Sequence, residues 1–165
     1  MRTFRAFPIA LLLAAYAALA ACASAPPPKP QPITAKLSII VSADVNPDAQ
    51  NRPSPIVVRI YQLKDDAAFK DADFFALYDK EEATLAAALV SRVEFELAPG
   101  ERRNIDFTMS FDARFIGVIA AYRDIRGAAW RALSGAADNG AIDVIKDNKM
   151  TLSVERARVH FGAAK

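Results

Sequence analysis

Side chains able to carry out acid–base or nucleophilic chemistry are few in this 165-residue chain. His160 is the only histidine and lies between the apolar Val159 and Phe161, and Cys22 is the only cysteine. A hydrolase needs a nucleophile, a base and an orienting group within hydrogen-bond reach, and a zinc site needs several cysteine, histidine or carboxylate ligands. The sequence therefore predicts a protein without catalytic activity and without a metal or other cofactor.

Three acidic clusters could in principle serve glycoside hydrolysis, which needs two carboxyl groups on opposite sides of a cleft. They are Asp65 with Asp66, Asp71 with Asp73, and Glu81 with Glu82. All of them fall in or next to a segment with helical periodicity, where acidic side chains stabilise the first turn of a helix. We therefore interpret them as helix caps or solvated charges.

Cys22 follows a segment with the features of a secretory signal. Arg2 and Arg5 precede an apolar run over residues 6–18, which is too short to remain as a membrane span. The run ends in leucine, two alanines and Cys22, which resembles the lipobox of bacterial lipoproteins. The resemblance predicts a signal peptide at residues 1–21 and an acylated Cys22 as the first mature residue. The alternative is an ordinary signal peptide whose removal leaves a free thiol.

A proline-rich segment separates Cys22 from the first periodic segment. Half of residues 23–32 are proline, which favours an extended chain of about 3.1 Å per residue and a spacer of roughly 30 Å. We interpret residues 22–33 as a tether, with a proline-rich recognition motif as the alternative. Ala23, rather than aspartate, follows the cysteine, and by resemblance to enteric lipoproteins this predicts sorting to the outer membrane.

The charge of the mature chain argues against nucleic-acid binding. The chain has 21 basic and 19 acidic side chains, and removing residues 1–21 takes away two arginines, which leaves a formal net charge of zero. No block rich in lysine and arginine remains to neutralise phosphates.

The mature domain, predicted over residues 34–165, alternates mainly between strand and turn signals. Apolar residues alternate over residues 37–43 and return over residues 56–63, which predicts two strands. Between residues 66 and 89 the period becomes helical, so we expect a short helical insertion of two helices. Residues 115–122 are almost wholly apolar, which predicts a strand covered on both faces, with Gly117 marking a close backbone approach.

The remaining strands carry two more specific predictions. Residues 93–97 and 105–111 alternate on either side of Pro99 and Gly100, which predicts a hairpin. Apolar residues change parity between residues 150–154 and 157–161, which suggests one strand with a bulge near Arg156. Seven or eight short strands predict a mainly β protein, folded as a two-sheet β-sandwich.

The connection at residues 44–55 is the strongest candidate for a binding site. It is longer than most links between strands, and ordered loops of this length are often functional. Asn46, Asp48, Asn51 and Arg52 offer hydrogen-bonding groups, while three prolines lower the entropy lost when a partner binds. A solvated connector is the alternative.

Several motifs of the mature chain occur together and in order. They are residues 52–63, Phe69, and residues 72–78, 97–101, 116–124 and 130–131. In this combination the chain resembles the type VI secretion system lipoproteins of the TssJ family, also called SciN or VasD.

The resemblance implies a transthyretin-like two-sheet β-sandwich, held by its lipid at the periplasmic face of the outer membrane. It implies no enzymatic role and no small-molecule substrate. The expected partner is the periplasmic C-terminal domain of TssM, in a membrane complex that also contains TssL. In the family the loop between the first two strands makes this contact. Here the corresponding residues are Val45, Asn46, Pro47, Asp48, Ala49, Gln50, Asn51, Arg52, Pro53 and Ser54. Asn46, Asp48 and Arg52 are our first candidates for the side chains that contribute most.

Two other interpretations stay open. A transthyretin-related hydrolase of the hydroxyisourate type would need several histidines and a Tyr-Arg-Gly-Ser-like terminus, and this chain has one histidine and ends differently. A periplasmic lipoprotein that binds a small ligand or an envelope polymer would be favoured by an apolar pocket between the helical insertion and the sheet.

Overall fold

Two four-stranded sheets face each other in the computed structural model, which describes residues 32–135 and 142–162. The first sheet contains, in spatial order, β4 (Arg102–Met109), β1 (Ile33–Val41), β7 (Lys149–Val154) and β8 (Val159–Gly162). The second contains β3 (Leu89–Leu97), β2 (Ile56–Leu63), β5 (Phe115–Ala120) and β6 (Arg131–Gly135). All neighbours are antiparallel except β1 and β7. The predicted two-sheet β-sandwich is confirmed.

The alternation seen in the sequence places one apolar row of each strand between the sheets. Leu37 and Ile39 of β1 and Val58 and Ile60 of β2 are fully buried in this core. Burying an aliphatic side chain of this size contributes about 1.5–3 kcal/mol relative to exposure. Packing of these rows therefore stabilises the sandwich and fixes which face of each strand points inward.

The helical insertion covers the outer face of the second sheet. It comprises α1 (Ala67–Asp71), α2 (Phe74–Asp79), α3 (Glu81–Leu85) and a 3₁₀ turn (Ala86–Ala88), one helix more than predicted. Phe69, Leu77 and Leu85 from the helices pack with Tyr61 and Ile119 of the sheet in a second apolar cluster. The predicted insertion at residues 66–89 is thus confirmed, and β5 is covered on both faces.

Two of the acidic residues cap the insertion, as the sequence indicated. Asp73 accepts a hydrogen bond from the amide of Ala76 at 2.8 Å, and Asp65 accepts one from the amide of Ala67 at 2.9 Å. Each carboxylate satisfies an amide that has no partner within its helix.

Gly117 is the point where the insertion approaches the sheet most closely. A methyl group at this position would lie 2.7 Å from the Cζ atom of Phe69, well inside van der Waals contact. The predicted close approach at this glycine is confirmed, and the absence of a side chain allows the Phe69 ring to lie against β5.

Gly117→Ala should therefore destabilise the domain by about 1–3 kcal/mol, the usual cost of overpacking a filled core. Urea unfolding measures this change. The double variant Gly117→Ala/Phe69→Leu should lose less than the sum of the two single variants, because the smaller side chain leaves room for the methyl group. Strict additivity of the two losses would contradict the proposed clash.

Two sequence predictions about strand pairing are wrong. β3 and β4 do not form a hairpin, because β3 pairs with β2 and β4 pairs with β1. The turn between them carries the chain from one sheet to the other, with Gly100 at a φ of +75°. The alternation of apolar residues specifies only which face of a strand points inward. Here Leu97 of β3 and Phe107 and Met109 of β4 enter the same core from opposite sheets.

The predicted bulge near Arg156 is a chain reversal. The amide of Glu155 donates to the carbonyl of Arg158 at 2.8 Å, and β7 and β8 then pair antiparallel from Val154 with Val159 onward. Because directly paired residues share a face, the change of parity in the sequence is also what a tight hairpin produces.

Four connections meet at one end of the sandwich, which we call the loop end. They are residues 42–55, 98–101, 121–130 and 155–158, and each begins where a strand of known direction stops. β1 begins at the opposite end, at Ile33. The binding loop predicted from the sequence therefore lies one strand length, nine residues, away from the start of the domain.

Candidate functional site

The loop at residues 44–55, here the β1–β2 loop, has a tightly closed tip organised by Asp48. One carboxylate oxygen of Asp48 accepts hydrogen bonds from the amides of Gln50 and Arg52 at 2.9 and 3.0 Å. The other accepts one from Nε of Arg52 at 2.8 Å. Backbone bonds between Asp48 and Arg52, and from the amide of Asn51 to Asp48, complete the turn. The tip is therefore held in one shape before any partner arrives.

These hydrogen bonds also affect the acidity of Asp48. The backbone amide of Arg52 and then its guanidinium hold the pKa of Asp48 below the ordinary value, because both interact better with the charged carboxylate. A carboxyl whose pKa is lower in the folded protein stabilises it above the ordinary pKa, and this stabilisation disappears as the pH falls through the lower, folded pKa.

The tip should therefore open on acidification below the ordinary aspartate pKa of about 3.9. Amide exchange and chemical shifts of Gln50 and Arg52, followed by NMR from pH 7 downward, would report the opening. In Asp48→Asn, which has no carboxyl at this position, the same amides should show no such titration step. Amides that stay protected after Asp48 is protonated would contradict this account.

Asn46 fastens the base of the loop. Its side chain is 4% exposed; Nδ2 donates to the carbonyl of Pro55 at 2.8 Å, and Oδ1 accepts from the amide of Arg123 at 2.8 Å. Its own amide donates to the carbonyl of Arg156 at 3.1 Å, and its φ is +49°. Asparagine tolerates this left-handed conformation better than most residues. Asn46 thus joins the β1–β2 loop to two other connections of the loop end, to one through its side chain and to the other through its backbone amide.

The ten residues predicted for partner binding fall into three groups by exposure. Val45, Asn46 and Ser54 are buried, Pro47 and Asp48 are half-buried, and Ala49, Gln50, Asn51, Arg52 and Pro53 are exposed. Among our three first candidates the side chain of Arg52 is 75% exposed and that of Asp48 only 18%. Asp48 and Asn46 therefore shape the loop, and residues 49–53 are the surface that a partner can reach.

Sequence reasoning missed Arg156 as part of this site. Its Nη2 donates to Oδ1 of Asn51 at 2.8 Å, and its Nη1 lies 3.7 Å from a carboxylate oxygen of Asp44. The two hydrogen-bonded residues are 105 positions apart in the chain. No local pattern could pair them, because the contact exists only once β7 is placed beside β1.

His160, the only histidine, lies in β8 and contacts the connection at residues 155–158. Its Nε2 is 3.1 Å from a carboxylate oxygen of Glu155, and its Nδ1 is 3.1 Å from the carbonyl of Phe161. Within residues 32–135 and 142–162, no group of three or more His, Cys, Asp or Glu side chains is placed to hold a metal ion. In the same part of the chain no helix has the length and apolar character needed to cross a bilayer.

The space between the helical insertion and the sheet is filled by the second apolar cluster. Beside it lies an open, charged cleft, where Glu81 accepts hydrogen bonds from Nη1 of Arg59 at 3.4 Å and from the hydroxyl of Tyr61 at 3.1 Å. Glu81 also forms an ion pair with Nε of Arg92 at 2.7 Å. Arg59 also stacks over Tyr78 at 4.1 Å and donates to Glu94 at 2.6 Å. These groups satisfy one another and attach the insertion to the sheet.

Comparison with known proteins gives a consistent result. A family model described as type VI secretion lipoprotein, VasD, EvfM and TssJ matches residues 33–157. Among solved structures, the chain is similar to the T6SS lipoprotein TssJ1 from Pseudomonas aeruginosa, with 32% identity and a TM-score of 0.71. That alignment covers 82% of this chain and 98% of the other. No curated protein sequence matches.

Two further structures contain similar chains. One is described as a type VI membrane complex, with 28% identity, a TM-score of 0.68, and 80% of this chain and 99% of the other covered. The second is described as the T6SS protein TssM C-terminal domain from EAEC, and its matching chain has 26% identity and a TM-score of 0.64. That alignment covers 79% of this chain and 98% of the other.

Proposed function

The chain belongs to the family of type VI secretion lipoproteins, and we propose that it anchors the secretion membrane complex to the outer membrane by binding the periplasmic C-terminal domain of TssM. In this proposal residues 1–21 are the signal peptide, Cys22 carries the acyl chains, and residues 22–33 are the tether. Residues 1–31 lie outside the described part of the chain. The domain that follows acts as a binding module without catalytic chemistry.

The preformed tip of the β1–β2 loop is the observation on which the proposed binding role rests. Asp48 closes the tip and Asn46 fastens its base, so the exposed residues 49–53 are presented in one conformation. A loop that is ordered before binding loses less conformational entropy when it meets its partner. This favours a recognition surface over a solvated connector.

The position of the loop also fits an anchored protein. The β1–β2 loop lies at the loop end, whereas β1 starts at the opposite end with Ile33. A tether joined before Ile33 would leave the loop end free to face a partner in the periplasm. Similar chains in structures described as a type VI membrane complex and as the TssM C-terminal domain support the choice of partner.

The test is a binding titration between the purified TssM C-terminal domain and the full-length protein in detergent. The key variant replaces only Ala49, Gln50, Asn51, Arg52 and Pro53 by glycine and serine, because the buried residues of the loop also hold the fold. The control replaces Phe111, Asp112 and Arg114, exposed residues of the turn after β4, by serine.

We expect tight binding by the native protein and the control, and loss of binding by the folded tip variant. Binding that is indifferent to the tip would move the interface elsewhere on the domain. Absence of binding by the native protein would overturn the proposed partner.

A further inference from the structure

Three connections of the loop end are fastened together as one surface, which we call the composite surface. They are the β1–β2 loop, residues 121–130 and residues 155–158. Asn46 bonds to backbone groups of both other connections. The hydroxyl of Tyr122 donates to the carbonyl of Glu155 at 3.0 Å, and Ala129 forms a parallel bridge with Arg158. A partner that touches the β1–β2 loop therefore meets a rigid surface built from all three.

A cavity of about 190 Å³ lies where the three connections meet. Pro47 lines it from the β1–β2 loop, Tyr122 and Ala128 from the second connection, and Ala157 from the third. Asn46, Asp124 and Arg156 also line it, so its walls combine apolar and polar groups. The tyrosine hydroxyl already has its hydrogen-bond partner in the carbonyl of Glu155. Recesses of this kind receive the central apolar side chains of protein interfaces, where most of the binding energy is concentrated.

The charges around the cavity are unbalanced. Arg52, Arg156 and Arg158 each have a carboxylate within 4 Å. Arg123 and Arg126 are exposed and have no such partner among the residues that the structure describes. Both belong to the connection that forms one wall of the cavity. Asp124 is the one carboxylate of this connection, so residues 121–130 carry a net charge of +1. This excess of positive charge complements a carboxylate-bearing partner.

Building on the proposed function, we propose that TssM docks on the whole composite surface, with an apolar side chain in the cavity and flanking carboxylates against Arg123 and Arg126. The β1–β2 loop is then one edge of the interface, and the recognised segment is an acidic one with an apolar residue in it. The preformed cavity, together with Arg123 and Arg126, selects this chemistry.

Charge reversal tests the electrostatic half of the proposal. Arg123→Glu/Arg126→Glu should weaken binding of the purified TssM domain about tenfold or more, mainly through a slower association rate, and should flatten its salt dependence. The matched control, Lys64→Glu/Arg114→Glu, changes the same charge on exposed residues at the opposite end of the sandwich and should bind as the native protein does.

Filling the cavity tests the other half. Ala128→Leu and, separately, Ala157→Leu should each weaken binding about tenfold, because the added side chain occupies the space of the partner's apolar residue. Ala87→Leu, on an exposed alanine at the opposite end, is the control. Thermal melting checks that each variant is folded. Two cavity variants are used so that the test still gives an answer if one of them fails to fold.

The outcomes separate this inference from the proposed function. Loss of binding in the tip variant, together with native affinity in the arginine and cavity variants, would overturn the composite surface and leave the proposed function intact. Absence of TssM binding by the native protein would overturn both. Weakening in the arginine and cavity variants, with both controls unchanged, supports the composite surface.

Discussion

Cys22→Ser should move the protein from the membrane fraction to the soluble periplasmic fraction. Serine cannot form the thioether through which the cysteine of a lipoprotein carries its lipid, so the proposed anchor is lost. Each buried methylene contributes about 0.8 kcal/mol, and stable attachment needs more than one acyl chain. The expected change is therefore close to complete. Fractionation and mass spectrometry of the mature N-terminus would measure it.

The control for this experiment is Ala23→Ser, which alters the neighbouring residue and keeps the cysteine. It should stay in the membrane fraction with the same acyl mass. Ala23→Asp tests the sorting claim separately, since under the enteric rule it should stay acylated and move to the inner membrane. Continued membrane association of Cys22→Ser after a salt wash would contradict the lipid anchor.

The architecture of the domain was largely predictable because apolar alternation reports which face of a strand is buried. Residues 37–43 showed this alternation and became β1. The almost wholly apolar residues 115–122 became β5, which is covered on both faces, and the helical period over residues 66–89 marked the insertion. Apolar alternation does not indicate which other strand is the hydrogen-bonded neighbour in the sheet. For that reason residues 93–97 and 105–111 suggested a hairpin, although β3 and β4 belong to opposite sheets.

The β1–β2 loop was predictable as a candidate site, and its internal organisation was not. Its length and its turn-forming residues are local properties, visible in one contiguous stretch of the sequence. The roles of its side chains depend on distant groups, since Asn46 bonds to Arg123 77 positions away and Asn51 bonds to Arg156 105 positions away. Exposure follows from these contacts, so no pattern in the sequence separates Asn46, which is buried, from Arg52, which is exposed.

Asn46 is the residue whose loss should disturb this surface most. Asn46→Ala leaves two backbone groups without partners, the carbonyl of Pro55 and the amide of Arg123. It also places alanine in a left-handed conformation. The two lost hydrogen bonds together cost about 1–3 kcal/mol and the left-handed alanine about 1 kcal/mol, so we expect the free energy of unfolding to fall by about 2–4 kcal/mol. Urea unfolding measures this fall.

Two further substitutions separate the causes of that fall. Asn46→Gly loses the same hydrogen bonds without the backbone strain, so it should be more stable than Asn46→Ala by about 1 kcal/mol. Asn46→Asp keeps an acceptor for the amide of Arg123 but sets a carboxylate against the carbonyl of Pro55, and should also be destabilised. Because the lost side-chain bonds join the loop to Arg123, amide exchange should rise in the loop and at residues 121–130 together. Faster exchange confined to residues 44–55 would mean that the β1–β2 loop moves on its own, and that the composite surface is not one unit.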